Sequence, residues 1–215
     1  MRKYIGFSCI AFCLFLAVPQ SRASGSCTSI AGNLVANCGF ETGDFTSWSL
    51  SGSEVPSELN FQYGVEGQDP VDLIIPHSGS DQAFFATLDA DATTISQSLA
   101  TTSGDAYTIT FWLAQDTAVV TPYSNELSAS FGADSLIDET AVPVEGYTEY
   151  SFTEDATSSS TLLSLTLGND LGEFLLDDVS VVQAPTVPEP PAWTLVLLGM
   201  IGSAFLCKRG LVAAE

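Results

Sequence analysis

Basic side chains are almost absent from this 215-residue sequence, which has 26 Asp and Glu residues but only 5 Lys and Arg residues and 1 His. The five bases lie near the chain ends, at Arg2, Lys3, Arg22, Lys208 and Arg209. Nucleic-acid binding needs Lys or Arg to displace the counterions of phosphate, so we exclude it for the segment between Ser24 and Cys207. The same absence excludes a Lys nucleophile, an Arg clamp and a P-loop lysine there.

The acidic excess gives a formal net charge of -21, and all acidic residues except Glu189 and Glu215 lie between Ser24 and Val187. These carboxylates have no Lys or Arg partner, so solvation, spacing, protonation or a bound cation must offset their repulsion, and a divalent metal is worth seeking. The chain is nevertheless 46% hydrophobic and 10% aromatic, which is enough to build a core. We therefore expect one folded domain over residues 24–186.

The N-terminus has the pattern of an export signal. A short cationic stretch, Met1 to Lys3, precedes the apolar run Tyr4 to Val18, and Ser21-Arg22-Ala23 places small residues where a signal peptidase reads. We predict a signal helix over residues 1–23 that is removed after Ala23. The alternative, lipoprotein cleavage before Cys27, is less favoured because Ser24-Gly25-Ser26 lacks a large aliphatic residue.

The C-terminus combines a proline motif, an apolar run and a basic pair. Its parts are Val187, Pro188, Glu189 and Pro190, then the uncharged run 192–207, then Lys208 and Arg209. The run is shorter than the ~20 apolar residues of a typical membrane-spanning helix, so it would be a marginal single span. The flanking bases would keep the terminus in the cytoplasm.

In this order of parts, residues 187–215 resemble the sorting signal of bacterial PEP-CTERM proteins. The resemblance implies a short transmembrane helix and handling by an exosortase-type membrane protease. The tail after Arg209 is longer and less basic than is usual for the family. Whether the signal is cleaved or stays as an anchor is therefore left open, as is the alternative of an ordinary C-terminal anchor.

Cysteine usage agrees with export. Cys9 and Cys13 lie in the predicted signal and Cys207 lies in the C-terminal run, which leaves Cys27 and Cys38 in the domain. Two thiols in an oxidising compartment usually pair, so we predict a disulfide between them.

The apolar periodicity of the domain is that of β-strands. Tyr107, Ile109, Phe111 and Leu113 alternate with polar or outward residues, as do Leu163, Leu165 and Leu167. Further candidate strands are 93–100, 125–131, 150–152 and 174–182. Turn clusters separate them at a spacing of roughly ten residues, which indicates an all-β, two-sheet antiparallel sandwich. Residues 53–77 are predicted to be a long surface loop.

An ordered series of motifs resembles a known class of jelly roll. The series runs Asn33-Leu-Val-Ala-Asn-Cys-Gly-Phe-Glu41, Trp48, His77-Ser-Gly-Ser80, Ile95-Ser-Gln-Ser, Tyr107-Thr-Ile-Thr-Phe-Trp112, Gly146-Tyr-Thr-Glu-Tyr150 and Leu176-Asp-Asp-Val-Ser-Val181. It is similar to the galactose-binding-like jelly rolls that include carbohydrate-binding modules of the family four and nine type. The resemblance implies two packed antiparallel sheets, no catalytic activity and a structural calcium ion.

Carried over to this sequence, the resemblance implies a calcium site made by two side chains and two carbonyl groups. Glu41 and either Asp177 or Asp178 would supply carboxylates, while Gly39 and Ser80 would supply main-chain oxygens, which are the hard ligands that calcium prefers. Strand alternation places Asp177 and Asp178 on opposite faces, so only one can point inward, and we favour Asp177. The alternative is a solvated turn at Glu41 and a strand-end Asp pair without metal.

Sugar recognition commonly uses aromatic side chains beside hydrogen-bonding groups. Trp112 is out of phase with the apolar side of its strand, and Phe61, Tyr63 and Tyr123 lie in predicted loops, so these four are the candidate ligand-binding residues. The alternative for Trp112 is burial beneath a covering loop. Trp48 is expected in the core.

Enzyme activity is not expected. A glycosidase needs a pair of carboxylates, but in so acidic a chain some pair will always meet the required spacing. His77 lies in a Pro-His-Ser-Gly turn without a nucleophile motif such as GxSxG, so we interpret it as a turn residue. Asp89 and Asp91 are interpreted as a solvated loop.

The sequence thus predicts an exported, non-enzymatic protein of the cell envelope or extracellular matrix, whose sandwich domain can bind carbohydrate. Its expected partners are an exosortase-type protease, the membrane before processing, and extracellular polysaccharide. The alternatives are a structural or adhesive surface protein without a small ligand and, more distantly, a polysaccharide hydrolase.

Overall fold

The computed structural model describes residues 26–52, 63–68, 74–86, 92–116, 124–143, 145–170 and 172–185. Within those ranges the chain forms ten β-strands and one short 3-10 helix at Cys27–Ser29. The strands are β1 (Ser49–Ser51), β2 (Tyr63–Glu66), β3 (Gln82–Phe85), β4 (Thr93–Ala100), β5 (Ala106–Gln115), β6 (Asn125–Phe131), β7 (Asp134–Thr140), β8 (Glu145–Asp155), β9 (Ser160–Asn169) and β10 (Phe174–Gln183).

The predicted signal helix over residues 1–23 and the sorting segment over 187–215 both lie outside the described residues. No helix in the described part of the chain is long and apolar enough to cross a membrane.

The strands form two five-stranded sheets. The first sheet has the order β1-β4-β9-β6-β7 and the second has the order β2-β3-β10-β5-β8. All the strand pairings given for the two sheets are antiparallel. This confirms the predicted antiparallel β-sandwich.

A period of two residues along each long strand builds the core between the sheets. In β6, the side chains of Asn125, Leu127, Ala129 and Phe131 are buried, while the three between them are only partly covered. β9 contributes Leu163, Leu165 and Leu167 from the same sheet, and β5 contributes Ile109 and Phe111 from the other. Each fully buried Leu, Ile or Phe stabilises the fold by roughly 1.5–3 kcal/mol, which lets this chain fold without Lys or Arg ion pairs.

The expectation of a surface loop over residues 53–77 is wrong in part, because β2 lies within it. Tyr63 to Glu66 pair with β3 in the order Tyr63↔Phe85 to Glu66↔Gln82. A strand of four residues is too short for alternation to stand out, and β2 is an edge strand whose side chains are mostly only partly covered. Hydrogen bonding to a neighbour, which periodicity does not reveal, makes it a strand.

The segment before β1 is hydrogen-bonded to β10. Cys27 and Cys38 form the predicted disulfide. The backbone amide of Leu34 donates to the carbonyl of Val181, and the amide of Val179 donates to the carbonyl of Cys38. Trp48 is 7% exposed and stacks on Phe40 at a ring-centroid distance of 5.9 Å, so its predicted core position is confirmed.

Candidate functional site

A β-bulge in β10 turns two adjacent carboxylates toward the same neighbours. The pairing of β10 with β5 shifts register between Asp177 and Ser180, and Asp178 has a φ of 49°. Asp177 is 0% exposed and Asp178 is 3% exposed. The expectation that alternation lets only one of them point inward is therefore wrong, because a bulge inserts an extra residue and breaks the alternation.

Both carboxylates bind the 77–78 turn, and Asp178 also binds the disulfide-bonded segment. Oδ1 of Asp178 accepts hydrogen bonds from the amide of Cys27 at 2.7 Å and the hydroxyl of Ser78 at 2.9 Å. Oδ2 of Asp177 accepts from the amide of Ser78 at 3.0 Å, and Oδ1 accepts from the amide of Asp178 at 2.7 Å. The pair thus joins three distant parts of the chain.

His77 has a more specific position than a solvated turn residue. Its Nδ1 lies 2.7 Å from Oδ2 of Asp178, and its ring stacks on Trp112 with centroids 3.9 Å apart and planes 14° apart. One ring face of Trp112, the first of the predicted sugar-binding aromatics, is therefore covered by His77. The signal available in the sequence was that His77 is the only base between Ser24 and Cys207.

The contacts of His77 and Ser78 do not make a catalytic triad. In a Ser-His-Asp triad the imidazole lies between the hydroxyl and the carboxylate and takes the proton of the hydroxyl. Here Asp178 lies in the middle, since it accepts the hydroxyl of Ser78 and contacts Nδ1 of His77 through its other oxygen. The Ser78 hydroxyl therefore donates to the carboxylate of Asp178 and not to the imidazole of His77, and the contacts hold the loop against β10.

Glu41 binds the same loop a few residues further on. Its Oε1 accepts from the amides of Ser80 at 2.8 Å and Asp81 at 3.2 Å. Gly79 between them has a φ of 66°, and a methyl group there would overlap the Glu41 carboxylate. Glycine is therefore required for Glu41 to reach the loop.

The residues predicted to hold calcium lie along the bulge of β10 and the segments packed against it. A methyl group on Gly39 would lie 3.3 Å from Oδ1 of Asp177, so the chain at Gly39 runs beside the carboxylate pair. The Ser80 amide, rather than its carbonyl, is turned toward Glu41. His77, which the prediction left out, has a ligand atom within 4.8 Å of those of Asp177 and Asp178.

Burial makes Asp177 unusual as an acid. Desolvation raises the pKa of its carboxyl from 3.8 to about 7; the Ser78 amide opposes this rise, while the charges of Asp178 and Glu41 add to it. Burial also raises the pKa of the Tyr147 hydroxyl, as do the nearby Asp177 and Asp178. A bound cation would relieve this charge density. The oxygen donors of Asp177, Asp178 and Glu41 fit calcium in type.

A second feature, which sequence reasoning missed, is a polar grid on the outer face of the first sheet. Directly paired positions across all five strands form two rows. The first row is Ser49, Ser96, Ser164, Ser130 and Ser135; the second is Ser51, Thr94, Thr166, Ser128 and Asp138. At about 4.8 Å between strands, each row extends about 19 Å, the length of an oligosaccharide.

The grid contains a groove of about 270 Å³ over β6, β7 and β9. Its walls are hydroxyl groups and two carboxylates, provided by Glu126, Ser128, Ser130, Ser135, Asp138, Ser164 and Thr166, with Ala129. Glu126 is paired with Gly168 on β9, which has no side chain to fill the space beside it. The hydroxyls of Thr94 and Thr166 lie 2.8 Å apart, so part of the grid is already ordered by hydrogen bonding.

The other predicted ligand aromatics are not part of this groove as far as the structure describes them. Tyr63 is 43% exposed and its ring contacts Phe45 edge-on at 6.1 Å. Phe61, Tyr123, Asp89 and Asp91 lie outside the described residues.

Comparisons with known proteins bear on the fold. No protein-family model matches the sequence, and no curated protein matches it significantly. The solved structure of TmCBM61 in complex with β-1,4-galactotriose aligns with a TM-score of 0.52 and 19% identity, over 71% of this chain and 99% of that chain.

Two further solved structures are similar at lower scores. The CBM22-1 and GH10 modules of Clostridium thermocellum xylanase 10B, complexed with xylohexaose, align at TM-score 0.46 and 15% identity over 76% of this chain and 31% of that one. The CBM22-1 xylan-binding domain from Paenibacillus barcinonensis aligns at TM-score 0.46 and 14% identity, over 69% and 93%. The TmCBM61 alignment shows that the domain has the jelly-roll fold of that carbohydrate-binding module.

Proposed function

We propose that this protein is an exported, non-enzymatic carbohydrate-binding protein that holds a glycan in the groove over β6, β7 and β9. The observation that carries the proposal is the pair of hydroxyl rows. Sugar rings offer hydroxyl groups as donors and acceptors, and Ser and Thr hydroxyls match both roles. The shared fold with carbohydrate-binding modules supports the proposal but does not identify a ligand.

The groove suits a glycan for reasons of rigidity as well as chemistry. Its side chains stand on paired strands over a buried Leu and Phe core, so little conformational entropy is lost when they bind. Leu162, 46% exposed, is two residues from Ser164 on the same face of β9 and offers an apolar surface to the C-H side of a sugar ring.

The test is glycan binding by the purified protein, measured on an array and then by calorimetry. The double variant Ser128→Ala, Ser130→Ala should weaken binding roughly tenfold, because each lost hydrogen bond contributes about 0.5–1.5 kcal/mol. Ser151→Ala, which removes a hydroxyl from exposed β8 on the other sheet, is the matched control and should leave affinity unchanged.

Three results would change this proposal. Binding that persists in the double variant and is abolished by Trp112→Ala in a folded protein would move the site to the aromatic predicted from sequence. No binding to any bacterial or plant glycan on the array would favour a structural or adhesive surface protein. Release of reducing sugar would restore the hydrolase alternative.

We also propose that the C-terminal segment delivers this domain to the cell envelope. The supporting observation is the order of Val187, Pro188, Glu189 and Pro190, an apolar run, and Lys208 and Arg209. An exosortase-type protease would process it. Deletion of residues 187–215 should release the protein from the envelope fraction. An unchanged distribution and mass in fractionated cells would contradict the proposal.

Calcium is the cofactor we propose, held by Asp177, Asp178 and Glu41. A hard divalent ion there would neutralise the carboxylate cluster and join the segment before β1, the 77–81 loop and β10. Its role would be structural and separate from the groove, because the carboxylates lie at the second sheet.

A further inference from the structure

The hydroxyl groove carries negative charge at two defined points. Glu126 and Ser128 follow each other on the outer face of β6, and Asp138 lies directly opposite Ser128 on β7. Glu126 and Asp138 are therefore diagonal neighbours across the strand pair, with Cβ atoms about 7 Å apart. Both carboxylates line the groove.

No positive side chain of the domain can offset this charge. Lys and Arg are absent from the sequence between Ser24 and Cys207. His77 lies in the turn before β3 and packs against the other sheet, where it contacts Asp178 and stacks on Trp112. A ligand in the groove therefore meets hydroxyl groups and two carboxylates without a compensating cation.

The charge pattern discriminates between classes of sugar. A uronate or sulfated sugar would bring a third negative charge beside Glu126 and Asp138, with no Arg or Lys to bind it. A neutral sugar can donate its hydroxyls to the two carboxylates. A sugar with a free amine does more, because an ammonium group placed between diagonal carboxylates makes charge-assisted hydrogen bonds, which are about twice as strong as neutral ones.

We propose that the groove selects glycans that carry free amino groups, accepts neutral glycans more weakly and rejects uronate polymers. This rests on the proposed function, since it specifies the chemical class of the glycan bound at the same site.

The experiment compares three oligosaccharides of equal length: β-1,4-linked glucosamine, its fully N-acetylated counterpart and galacturonate. Binding to the full-length protein is measured by calorimetry in EDTA, at a pH where the amines are protonated and the carboxylates ionised. EDTA removes divalent ions that could bridge a uronate to the protein. The amine oligomer should bind at least tenfold more tightly than the acetylated one. Added salt should reduce that ratio.

Charge variants separate the groove from the general acidity of the protein. Glu126→Gln and Asp138→Asn should each lower the amine preference severalfold while leaving affinity for the acetylated oligomer nearly unchanged. Glu149→Gln removes the same charge from exposed β8 on the other sheet and should keep the full preference. Asp138 is exposed, so its variant tests the proposal even if Glu126→Gln does not fold.

Three outcomes would overturn the inference. If Glu149→Gln reduces the preference for the amine oligomer as much as Asp138→Asn does, the preference reflects the net charge of the protein alone. Tightest binding to galacturonate would reverse the proposed selection. Equal binding of the amine and acetylated oligomers would leave the groove a glycan site without charge selection. Binding to none of the glycans would refute the proposed function itself.

Discussion

Asp177 is a carboxyl group placed where water does not reach it, and its pKa of about 7 records the cost of ionising it there. The folded-state pKa lies above the ordinary value of 3.8, so the folded protein holds this proton more tightly than the unfolded chain. Its contribution to stability is complete below about pH 4 and is lost as the pH rises through 7.

In EDTA, we therefore expect the free energy of unfolding to fall between pH 4 and pH 7 by an Asp177 contribution on the order of 2 to 4 kcal/mol. The neutral variant Asp177→Asn should lose this component. Urea unfolding at a series of pH values measures both proteins. Identical pH profiles would show that Asp177 ionises freely in the fold.

Gly79 tests whether the Glu41 contact stabilises the loop. Gly79→Ala should cost about 1 kcal/mol more than Gly104→Ala, because it also displaces Glu41 from the Ser80 and Asp81 amides. Gly104 is the matched control, with a φ of 90° and nothing within 4 Å of an added methyl group. When Glu41 is also replaced by Ala, Gly79→Ala and Gly104→Ala should destabilise the fold equally. A remaining difference between them would contradict the role of the Glu41 contact.

At the scale of elements, the sequence predicts those strands whose alternation is long and regular. β5, β6 and β9 follow from periodicity, because one face of each lies on the core. β10 is buried at eight consecutive positions, so its apolar composition rather than alternation marks it as a strand. β2 and β7 do not follow, since one is only four residues long and both are edge strands with largely uncovered side chains.

The hydroxyl groove and the carboxylate cluster on β10 both depend on information that sequence periodicity does not contain. Alternation places Ser164 and Thr166 opposite the buried leucines of β9, but only the pairing register brings them beside Ser130 and Ser128. Register depends on partners distant in sequence. The bulge at Asp178 likewise interrupts the two-residue alternation that the sequence predicts for β10. The calcium residues were predicted as a group through resemblance, whereas the hydroxyl rows could be found only from the paired strands.

The junction between the 77–81 loop and β10 should respond to calcium. Calcium at a hundredfold excess over its dissociation constant should stabilise the fold by about 2.7 kcal/mol, with a matching rise in Tm over the EDTA-treated protein. Glu41→Gln should weaken the response and Glu149→Gln should not. Equal melting temperatures in calcium and EDTA, measured by calorimetry, would exclude the site.

At the scale of the whole molecule, the sandwich is stabilised by apolar burial. Its carboxylates have no Lys or Arg partner within the domain, and those of Glu41 and Asp178 accept hydrogen bonds from backbone amides and a hydroxyl instead. The distribution of bases has a direct chemical consequence. A chain cut after Ala23 and near Glu189 contains no Lys or Arg.

Trypsin should therefore leave that processed product intact even after reduction and denaturation in urea. A glutamate-specific protease should cut the same denatured sample into several fragments, of which residues 67–126 form the longest, and this shows that the chain is accessible. Mass spectrometry measures both digests. Tryptic fragments from within residues 24–186 would mean that cleavage had followed some residue other than Lys or Arg.

The central position of β10 has a mechanical consequence. β10 lies between β3 and β5, antiparallel to both, and the disulfide-bonded segment adds backbone hydrogen bonds to Val179 and Val181. Tension applied at the C-terminal end of the domain would load these hydrogen bonds together in shear rather than open them one at a time. A protein held at that end while it binds a polymer on the opposite sheet would transmit the pull through a strand that is hydrogen-bonded to a neighbour on both sides.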